Sequence, residues 1–360
     1  MNYQAWLAHF PKITYSRYGR LRAYFFDLKN LYTAELDEIV KAGIEENIAM
    51  EFLTWRDKNP IEKILERMQK ENIYTVSLGE DNYPPLLAQI TDPPHTLFVR
   101  GQLPPVQQPT LGVVGTRRFT TYGKLVCEDL VTPLAAQGIV IVSGLALGID
   151  GIAHTATLEA GGTTIAVLGS GINKSCIFPS AHRTLSEKII EQGGAVVSEY
   201  PVDFAPTQYS FPARNRIIAG LSLGTLVIEA PAKSGALITA RCALAYNREV
   251  MCVPHAITSP TGAGPNNLIK FGAKMVTEPN DILEALNLQE IKQIIPVKKE
   301  NIDISTPEGK FLNCLTKEPK NINQIILETK IESAAMSATL TIMEIKGQIK
   351  NLGGMNYIKK

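Results

Sequence analysis

The sequence has few cysteines, and it lacks a long apolar segment. Five cysteines are spread over 360 residues and none forms a C-x-x-C pair, which argues against a disulfide framework or a zinc knuckle. The longest apolar run, residues 138–149, ends at Asp150 and is too short to cross a bilayer. The first residues contain no basic segment followed by an apolar one, as a signal peptide would. We therefore expect a cytoplasmic protein with no membrane span.

The net charge is also small, at +1, and this argues at first against a nucleic-acid partner, which usually leaves a basic footprint. The total hides an uneven distribution, because residues 1–100 carry −2, residues 101–290 carry −1 and residues 291–360 carry +4. Glycine is just as uneven, since 20 of the 27 glycines lie in residues 101–290. Glycine permits tight turns and close backbone approaches, so we expect the functional site in this region.

The common catalytic and nucleotide-binding motifs are absent. The sequence contains no G-x-G-x-x-G after the first strand of the glycine-rich region, no G-x-x-x-x-G-K-[ST], no H-E-x-x-H and no G-x-S-x-G. Asp150 and His154 are four residues apart at a helix start, but an Asp there more often caps the helix. Lys233 and Ser234 suggest a Ser/Lys nucleophile, although phosphate contact by the lysine is favoured. The sequence therefore predicts no catalytic residue, no cofactor and no metal site.

The first part of the chain is expected to be helical. Asn59 is a candidate N-cap and Pro60 a candidate first helical residue, and the apolar positions that follow repeat with helical spacing. Helices are predicted over residues 17–29, 33–41, 45–57 and 60–71. We assign residues 1–72 to a small helical domain of the SAM or helix-hairpin-helix kind, and residues 73–110 to a connector that begins with a short strand.

Residues 111–286 alternate apolar, β-branched runs with helical segments. Continuous apolar strands that alternate with helices are typical of βαβ units and of a parallel sheet covered on both faces. We therefore predict an α/β fold with a doubly wound parallel sheet. Its strands are predicted at 111–115, 139–143, 164–168, 195–198, 225–229, 250–253 and 274–276, and its helices near 122–137, 150–160, 180–192, 213–220, 235–247 and 265–272.

The C-terminal part is predicted to be a separate domain. Residues 287–305 are polar and contain a Pro and two adjacent lysines, as a linker does. Helices near 306–315, 321–329 and 333–346 and a hairpin with Gly353-Gly354 at its centre then predict a winged-helix-like domain over residues 306–360. The candidate recognition helix has no Arg, Lys, Asn or Gln before Lys346, so a protein contact or an auxiliary phosphate contact is favoured over base readout.

The segments after the strands carry the polar chemistry of the predicted sheet. Ligands of such sheets bind beyond the carboxyl ends of the strands, and here these segments are rich in glycine, hydroxyl groups and basic residues. Backbone N–H groups can approach phosphate closely where side chains are small, and Arg and Lys add charge-assisted hydrogen bonds. Several such loops suit a nucleic-acid backbone, and Phe211 offers a stacking surface for a base. The candidate DNA-binding residues are Arg117, Arg118, Ser143, Gly144, Lys174, Phe211, Arg214, Asn215, Arg216, Lys233 and Ser234.

Four sequence runs in this region carry a specific resemblance. They are GVVGTRR (112–118), VSGLALGIDGIAH (142–154), SEYPVDFAPTQYSFPARNRIIAGLS (198–222) and EAPAKSGALITARCAL (229–244). In this order they resemble the DprA/Smf family of bacterial DNA-processing proteins. The resemblance implies an extended Rossmann-like domain that forms homodimers and binds single-stranded DNA in a basic pocket. It also implies that the protein protects incoming DNA and loads the RecA recombinase onto it during natural transformation. It does not require nuclease activity.

The resemblance also assigns residues. Arg117 of the G-[ST]-R motif, Phe211 before the A-R-N-R motif and Lys233 of the K-S-G motif match the family's DNA contacts. Arg214, Asn215 and Arg216 fit the A-R-N-R motif. The alternative for one of these arginines is that it braces the loop and does not contact DNA. Some relatives carry a basic residue three positions before the phenylalanine, where this chain has Gln208, and Lys174 is a candidate to compensate.

Two other functions compete with a DNA-binding recombination mediator. One is a nucleotide or phosphoribosyl hydrolase of the lysine-decarboxylase-like Rossmann fold, but the P-G-G-x-G-T-x-x-E motif of those enzymes is replaced here by residues 221–229, which lack the paired glycines. The other is a sequence-specific regulator acting through the C-terminal domain, which the apolar recognition helix disfavours. The sequence therefore favours a non-enzymatic protein that binds single-stranded DNA, and the resemblance implies RecA and a second copy of the chain as further partners.

Overall fold

The structure is a computed structural model, and it describes residues 2–289, 307–315, 320–329, 333–345, 349–351 and 353–359. The chain forms two compact units, residues 1–295 and residues 296–360. No helix within these described ranges is long and apolar enough to cross a membrane. The predicted linker lies outside the described residues from residue 290 onward.

The N-terminal helices surround an aromatic core that contains Trp6, Phe10 and Phe52. The predicted helix 17–29 is wrong, because the chain is extended at Phe25 and a new helix begins after Asp27, whose side chain accepts a hydrogen bond from the backbone N–H of Lys29 at 2.9 Å. The helices are α1 (Tyr3–Leu7), α2 (Tyr15–Tyr24), α3 (Leu28–Thr33), α4 (Leu36–Lys41), α5 (Glu46–Lys58) and α6 (Ile61–Lys70).

The start of α6 also differs from the expectation. Pro60, and not Asn59, is the N-cap residue, and it provides no side-chain hydrogen bond. The Asn59 amide instead donates to the carbonyl of Trp55 at 2.7 Å, and the Asn59 carbonyl accepts from the Trp6 indole at 3.0 Å. Asn59 therefore joins α5 to α1 and does not cap the helix that follows it.

A nine-stranded sheet forms the centre of the first unit. Its order is β1-β2-β6-β5-β4-β3-β7-β8-β9. In this order the strands from β6 to β9 pair parallel, whereas β2 pairs antiparallel with both β1 and β6 at one side of the sheet. The strands are β1 (Tyr74–Ser77), β2 (Thr96–Gly101), β3 (Thr110–Val114), β4 (Val140–Ser143), β5 (Thr164–Leu168), β6 (Ala195–Ser198), β7 (Gly224–Val227), β8 (Glu249–Cys252) and β9 (Lys274–Met275). The seven predicted strands are present within two residues of their expected bounds, and β1 and β2 come from the segment assigned to a connector.

Helices cover both faces of the sheet, as the apolar strands require. In β4, Val140 and Val142 pack into one core cluster and Ile141 into the other, because successive strand side chains alternate between faces. The doubly wound fold is thereby confirmed. The helices are α7 (Pro85–Ala88), α8 (Thr121–Ala136), α9 (Ile149–Glu159), α10 (Arg183–Glu191), α11 (Ser210–Gly220), α12 (Ala236–Ala245), α13 (Ala263–Lys270) and α14 (Pro279–Ala285), with a 3₁₀ turn at Ser180–His182.

The order in which strands are added to the sheet reverses at β3. From β3 the connections step through β4 and β5 to β6 on one side, and β7 then returns to the other side of β3. Such a switch point leaves a crevice at the carboxyl ends of the strands on its two sides. The segments after β3 and β7 therefore border the crevice where a ligand of this fold binds.

The described residues of the second unit form three helices and a small sheet. Its core includes Phe311, Ile325, Leu340 and Met343, and the three strands pair antiparallel in the order β10-β12-β11. This agrees with the predicted winged-helix-like arrangement, although Lys346 lies outside the described residues. The elements are α15 (Pro307–Cys314), β10 (Lys320–Asn321), α16 (Ile322–Thr329), α17 (Ser333–Ile345), β11 (Ile349–Asn351) and β12 (Asn356–Lys359).

Candidate nucleic-acid interface

A cavity of about 680 Å³ opens at the carboxyl ends of β3 and β7. The segment after β3 forms one side, the segment after β7 forms another, and the first turns of α11 form the third. The predicted site residues among those that line it are Arg117, Arg118, Phe211, Arg214, Asn215, Lys233 and Ser234. Residues separated by more than a hundred positions in the sequence therefore meet at one site.

Three cations of this cavity are exposed: Arg117, Arg118 and Lys233. Within the described residues, none of them has a carboxylate at ion-pair distance. The guanidinium carbon of Arg117 lies 5.9 Å from the centre of the Phe211 ring, within the range of a cation–π contact. These side chains can donate charge-assisted hydrogen bonds to an anion without first breaking an ion pair.

Arg214 is different, because its guanidinium is buried at the floor of the cavity. It donates to the carbonyl of Gly144 at 2.6 Å and to that of Val167, and it attracts the buried carboxylate of Asp150. Burial raises the pKa of Asp150, and Arg214 opposes this rise. Burial likewise lowers the pKa of Arg214, to about 10, and Asp150 opposes that change. Arg214 therefore joins the segment after β4 to β5 itself.

Gly144 has no room for a side chain. A Cβ atom at this position would lie 2.6 Å from both Arg214 Nη2 and Asp150 Oδ2, closer than real Cβ contacts allow. The Gly144 N–H donates to Asp150 Oδ2 at 3.1 Å, while its carbonyl accepts from Arg214. Gly144 is therefore held between the two charged groups and lets them approach each other.

The remaining hydroxyl and amide candidates bond to the backbone. Ser143 is buried and donates to the carbonyl of Val113 at 2.6 Å. Ser234 Oγ accepts from the Ala236 N–H at 3.3 Å at the start of α12. The Asn215 amide donates to the carbonyl of Gly235 at 3.1 Å, which links α11 to the segment after β7. These bonds fix the walls of the cavity.

Four predicted residues do not line the cavity: Ser143, Gly144, Lys174 and Arg216. Arg216 pairs with Glu199 and with Asp92, the latter at 3.3 Å between Nε and Oδ2. Lys174 is exposed on the segment after β5 and is likewise outside the set of lining residues. Arg216 is thus already engaged with acidic partners, whereas Lys174 lies in a segment next to the cavity.

Sequence reasoning missed Glu229, a fully buried carboxylate just beyond β7. Its oxygens accept from the Thr120 N–H at 2.9 Å, the Thr120 hydroxyl at 2.6 Å and the Thr261 hydroxyl at 3.1 Å. It therefore joins the segment after β3, which carries Arg117, to the segment around Thr261. The available signal was a charged residue at the end of an apolar strand, where burial requires hydrogen-bond partners.

The residues that suggested catalysis, Asp150, His154 and Ser234, have other hydrogen-bond partners. His154 is fully buried with Nδ1 2.7 Å from the Thr164 hydroxyl, and burial lowers its pKa, whereas Asp150 bonds to Gly144. Ser234 accepts a backbone N–H at the start of a helix. No group of His, Cys, Asp and Glu with the arrangement of a metal site occurs in the part of the chain that the structure describes.

Comparisons with known families match both units. Residues 74–287 match the family model for DNA recombination-mediator protein A, and residues 301–355 match the model for the DprA winged helix domain. Protein Smf of Escherichia coli (strain K12) is 45% identical over 274 residues, which are 74% of this chain and 71% of that protein. DNA processing protein DprA of Bacillus subtilis (strain 168) is 37% identical over 267 residues, 74% of this chain and 87% of that protein.

Solved structures give the same result. DNA processing protein A of Streptococcus pneumoniae superposes with a TM-score of 0.66 at 34% identity, covering 79% of this chain and 97% of that one. DNA processing protein A of Helicobacter pylori, described for its single-stranded DNA binding mode, has a TM-score of 0.53 at 31% identity and covers 60% and 95%.

Proposed function

The chain belongs to the DprA/Smf family of DNA-processing, recombination-mediator proteins, and we propose that it binds single-stranded DNA in the cavity at the carboxyl ends of β3 and β7. The observation that carries this proposal is the group of three exposed cations beside an aromatic ring. We further propose that the bound strand is protected and passed to the RecA recombinase during natural transformation, without chemistry on the DNA.

The chemistry of the cavity fits an unpaired strand. Arg117, Arg118 and Lys233 can contact successive phosphates, because they reach one cavity from two separate segments. Asp150 is the single acidic residue among those that line it, and Arg214 compensates its charge. Phe211 offers a surface for a base, and base faces are available for stacking only when the strand is unpaired.

The proposal is tested by fluorescence anisotropy with labelled oligo-dT over a range of salt concentrations. The logarithm of the affinity should fall linearly with the logarithm of the salt concentration, with a slope of about −0.7 for each phosphate contact to a single strand. Arg117→Ala and Lys233→Ala should each weaken binding and flatten the slope by about 0.7. Lys188→Ala is the matched control, because Lys188 is exposed on α10, outside the cavity lining. Variants that bind like the control would refute this site.

A non-enzymatic role is tested on the same preparation. Nucleotides and labelled oligonucleotides incubated with the protein should remain intact at concentrations that saturate DNA binding. Hydrolysis that tracks the protein through purification and disappears in Lys233→Ala would instead favour the hydrolase alternative. Asp150 and His154 bond to different partners, so these two residues do not form an acid–base pair for such a reaction.

Loading of RecA is inferred from family membership. In a test with purified proteins, single-stranded DNA is first covered with single-strand binding protein, and RecA-dependent ATP hydrolysis is then followed. This chain should shorten the lag before hydrolysis begins. Arg117→Ala should lose the effect because it does not hold the strand, whereas Lys188→Ala should keep it. A lag that is unchanged by the wild-type chain would refute loading while leaving DNA binding intact.

We also propose a homodimer, and exposed apolar side chains between α12 and β9 support it. Leu244 at the end of α12, Phe271 after α13 and Met275 on β9 are 56%, 89% and 51% exposed. A second copy of the chain would remove this surface from water. Light scattering should give twice the mass of the chain, and Phe271→Glu combined with Leu244→Glu should give a monomer with an unchanged circular dichroism spectrum. A monomeric wild type would refute the dimer.

A further inference from the structure

Phe178 is an aromatic residue beside the proposed DNA site that sequence reasoning did not single out. It lies in the segment between β5 and α10, and 49% of its surface is exposed. Other residues hold this segment in place. Ile172 and Ile177 are buried in a core cluster, and Asn173 Oδ1 accepts from the Ser175 hydroxyl at 2.7 Å and the Cys176 N–H at 2.9 Å. The half-exposed ring is therefore not what anchors the segment to the protein.

The ring is directly next to the cavity. Its centre is 5.6 Å from that of Phe211, with 47° between the ring planes. Both rings line a smaller pocket of about 100 Å³, together with Arg117 and Gly144. Arg117, Phe211 and Arg214 also line the main cavity, so the two pockets adjoin each other. A strand that contacts Arg117 and Phe211 passes within reach of Phe178.

Much of the Phe211 surface is already covered. Arg117 lies over its ring, and a Cβ atom on Gly169 would lie 3.0 Å from Phe211 Cδ1, so the backbone after β5 packs closely against it. Phe178 covers another part of the Phe211 ring, and 5.6 Å separates the two ring centres. Phe178 is the half-exposed ring of the pair, whereas Phe211 is only partly exposed. An entering base therefore meets an aromatic surface at Phe178.

We propose that Phe178 is a second base-stacking residue of the DNA site, so that neighbouring bases of one strand contact Phe178 and Phe211. The angle of 47° between the rings prevents one planar base from lying parallel to both. The 5.6 Å separation of the ring centres exceeds the spacing of about 3.4 Å between stacked bases. The two bases are therefore unstacked from each other, which requires a single strand. This inference rests on the proposed function.

The test compares four variants in oligo-dT binding. Phe178→Ala should raise the dissociation constant about 5- to 150-fold, the equivalent of about 1–3 kcal/mol for one stacked base. Phe178→Tyr keeps an aromatic face and should bind nearly as the wild type does. Phe178→Leu keeps the apolar bulk but has no aromatic face, and it should bind as weakly as the alanine variant. Phe26→Ala is the matched control, because Phe26 is 94% exposed in the N-terminal helical region.

The leucine variant separates stacking from a bracing role. If Phe178 only holds the Phe211 ring in position, then Phe178→Leu retains wild-type affinity and the inference is overturned. A fluorescent adenine analogue placed at successive positions of the oligonucleotide gives a second measurement. Two neighbouring positions should change fluorescence on binding, and Phe178→Ala should abolish the change at one while Phe211→Ala abolishes it at the other. Loss of both signals in each variant would also favour a brace.

The outcomes distinguish this inference from the function on which it rests. If wild-type protein fails to bind oligo-dT, or if Arg117→Ala and Lys233→Ala bind as Lys188→Ala does, the proposed site itself fails. If those variants weaken binding while Phe178→Ala behaves like Phe26→Ala, the site stands and only the role of Phe178 is refuted.

Discussion

Replacing Arg214 by alanine should destabilise the protein itself. Arg214 donates to the carbonyls of Gly144 and Val167 and compensates the buried carboxylate of Asp150. Removing one partner of a buried ion pair costs about 3–5 kcal/mol because the other charge is left uncompensated. Two charge-assisted hydrogen bonds, worth about 1.5–3 kcal/mol each, lead to a similar figure. The free energy of unfolding should therefore fall by about 3–5 kcal/mol, a large part of the roughly 5–15 kcal/mol typical of a native protein.

The assay is urea unfolding of the full chain followed by far-UV circular dichroism. Arg214→Lys provides a milder variant in case the alanine variant does not fold, because lysine keeps the charge but loses the planar fork that reaches two carbonyls. Arg117→Ala is the control. That side chain is exposed and its cation–π contact is worth about 0.5–1 kcal/mol, so its unfolding free energy should be almost unchanged while its DNA binding is lost.

The destabilisation should depend on pH. Burial raises the pKa of Asp150, and Arg214 opposes this rise, so removing Arg214 raises the pKa in the folded state further. A carboxyl group whose pKa is higher in the folded state than in the unfolded state binds its proton more tightly in the folded state. The folded state therefore loses stability as the pH rises from the unfolded-state pKa to the folded-state pKa. The loss of unfolding free energy in Arg214→Ala, relative to the wild type, should therefore be largest at neutral pH. It should shrink as the pH falls towards the ordinary pKa range of aspartic acid.

The opposite result would assign Arg214 to the DNA. If Arg214→Ala unfolds at the same urea concentration as the wild type at every pH but binds oligo-dT weakly, its guanidinium contacts phosphate and does not brace the cavity floor. A deficit that is equally large at acid and neutral pH would show that Asp150 is not the group left uncompensated.

Three further predictions concern neighbouring residues. Arg216→Ala should lower the unfolding free energy by about 3–5 kcal/mol, because it leaves the mostly buried Glu199 without its partner, while oligo-dT affinity per folded molecule stays unchanged in anisotropy. Gly144→Ala should cost about 1–3 kcal/mol in urea unfolding, since a Cβ atom there meets the buried side chains of both Arg214 and Asp150 at 2.6 Å; an unchanged midpoint would contradict this. Lys174→Ala should weaken oligo-dT binding less than Lys233→Ala, because only Lys233 lines the cavity, and a larger loss for Lys174 would place the strand along the segment after β5.

The fold was predictable where burial on both faces leaves a clear pattern. Parallel strands read as continuous apolar runs, and all seven such runs form strands. β1 and β2 were harder to assign to the sheet. They pair antiparallel at its side, and the segment that separates them contains turn residues and consecutive prolines, a pattern that also suits a connector. Whether such a segment joins a sheet depends on contacts with β6, which local sequence does not contain.

The position of the site was predictable for a related reason. The carboxyl ends of parallel strands lie at one edge, so the segments after β3 and β7 had to lie at the same edge once the sheet was parallel, and the strand order then makes them neighbours. The roles of individual side chains were less accessible. Arg117 and Arg214 are both basic residues in the segments that border the cavity, yet one is exposed and the other is buried against Asp150. Burial is set by packing between segments, and charge alone does not reveal it.

The two arginines of the A-R-N-R motif show how one boundary changes the interpretation. The sequence predicted the helix from residue 213, which leaves the residues before it in a loop, but α11 begins at Ser210. In a helix of 3.6 residues per turn, positions 214 and 216 project about 200° apart, whereas positions 211 and 214 lie on one face. Phe211 and Arg214 therefore both reach the cavity, while Arg216 points away from it towards Asp92 and Glu199. Both arginines of this motif can contact one ligand only if the helix unwinds. In the intact helix, Arg214 and Arg216 instead hold α11 in place from opposite sides.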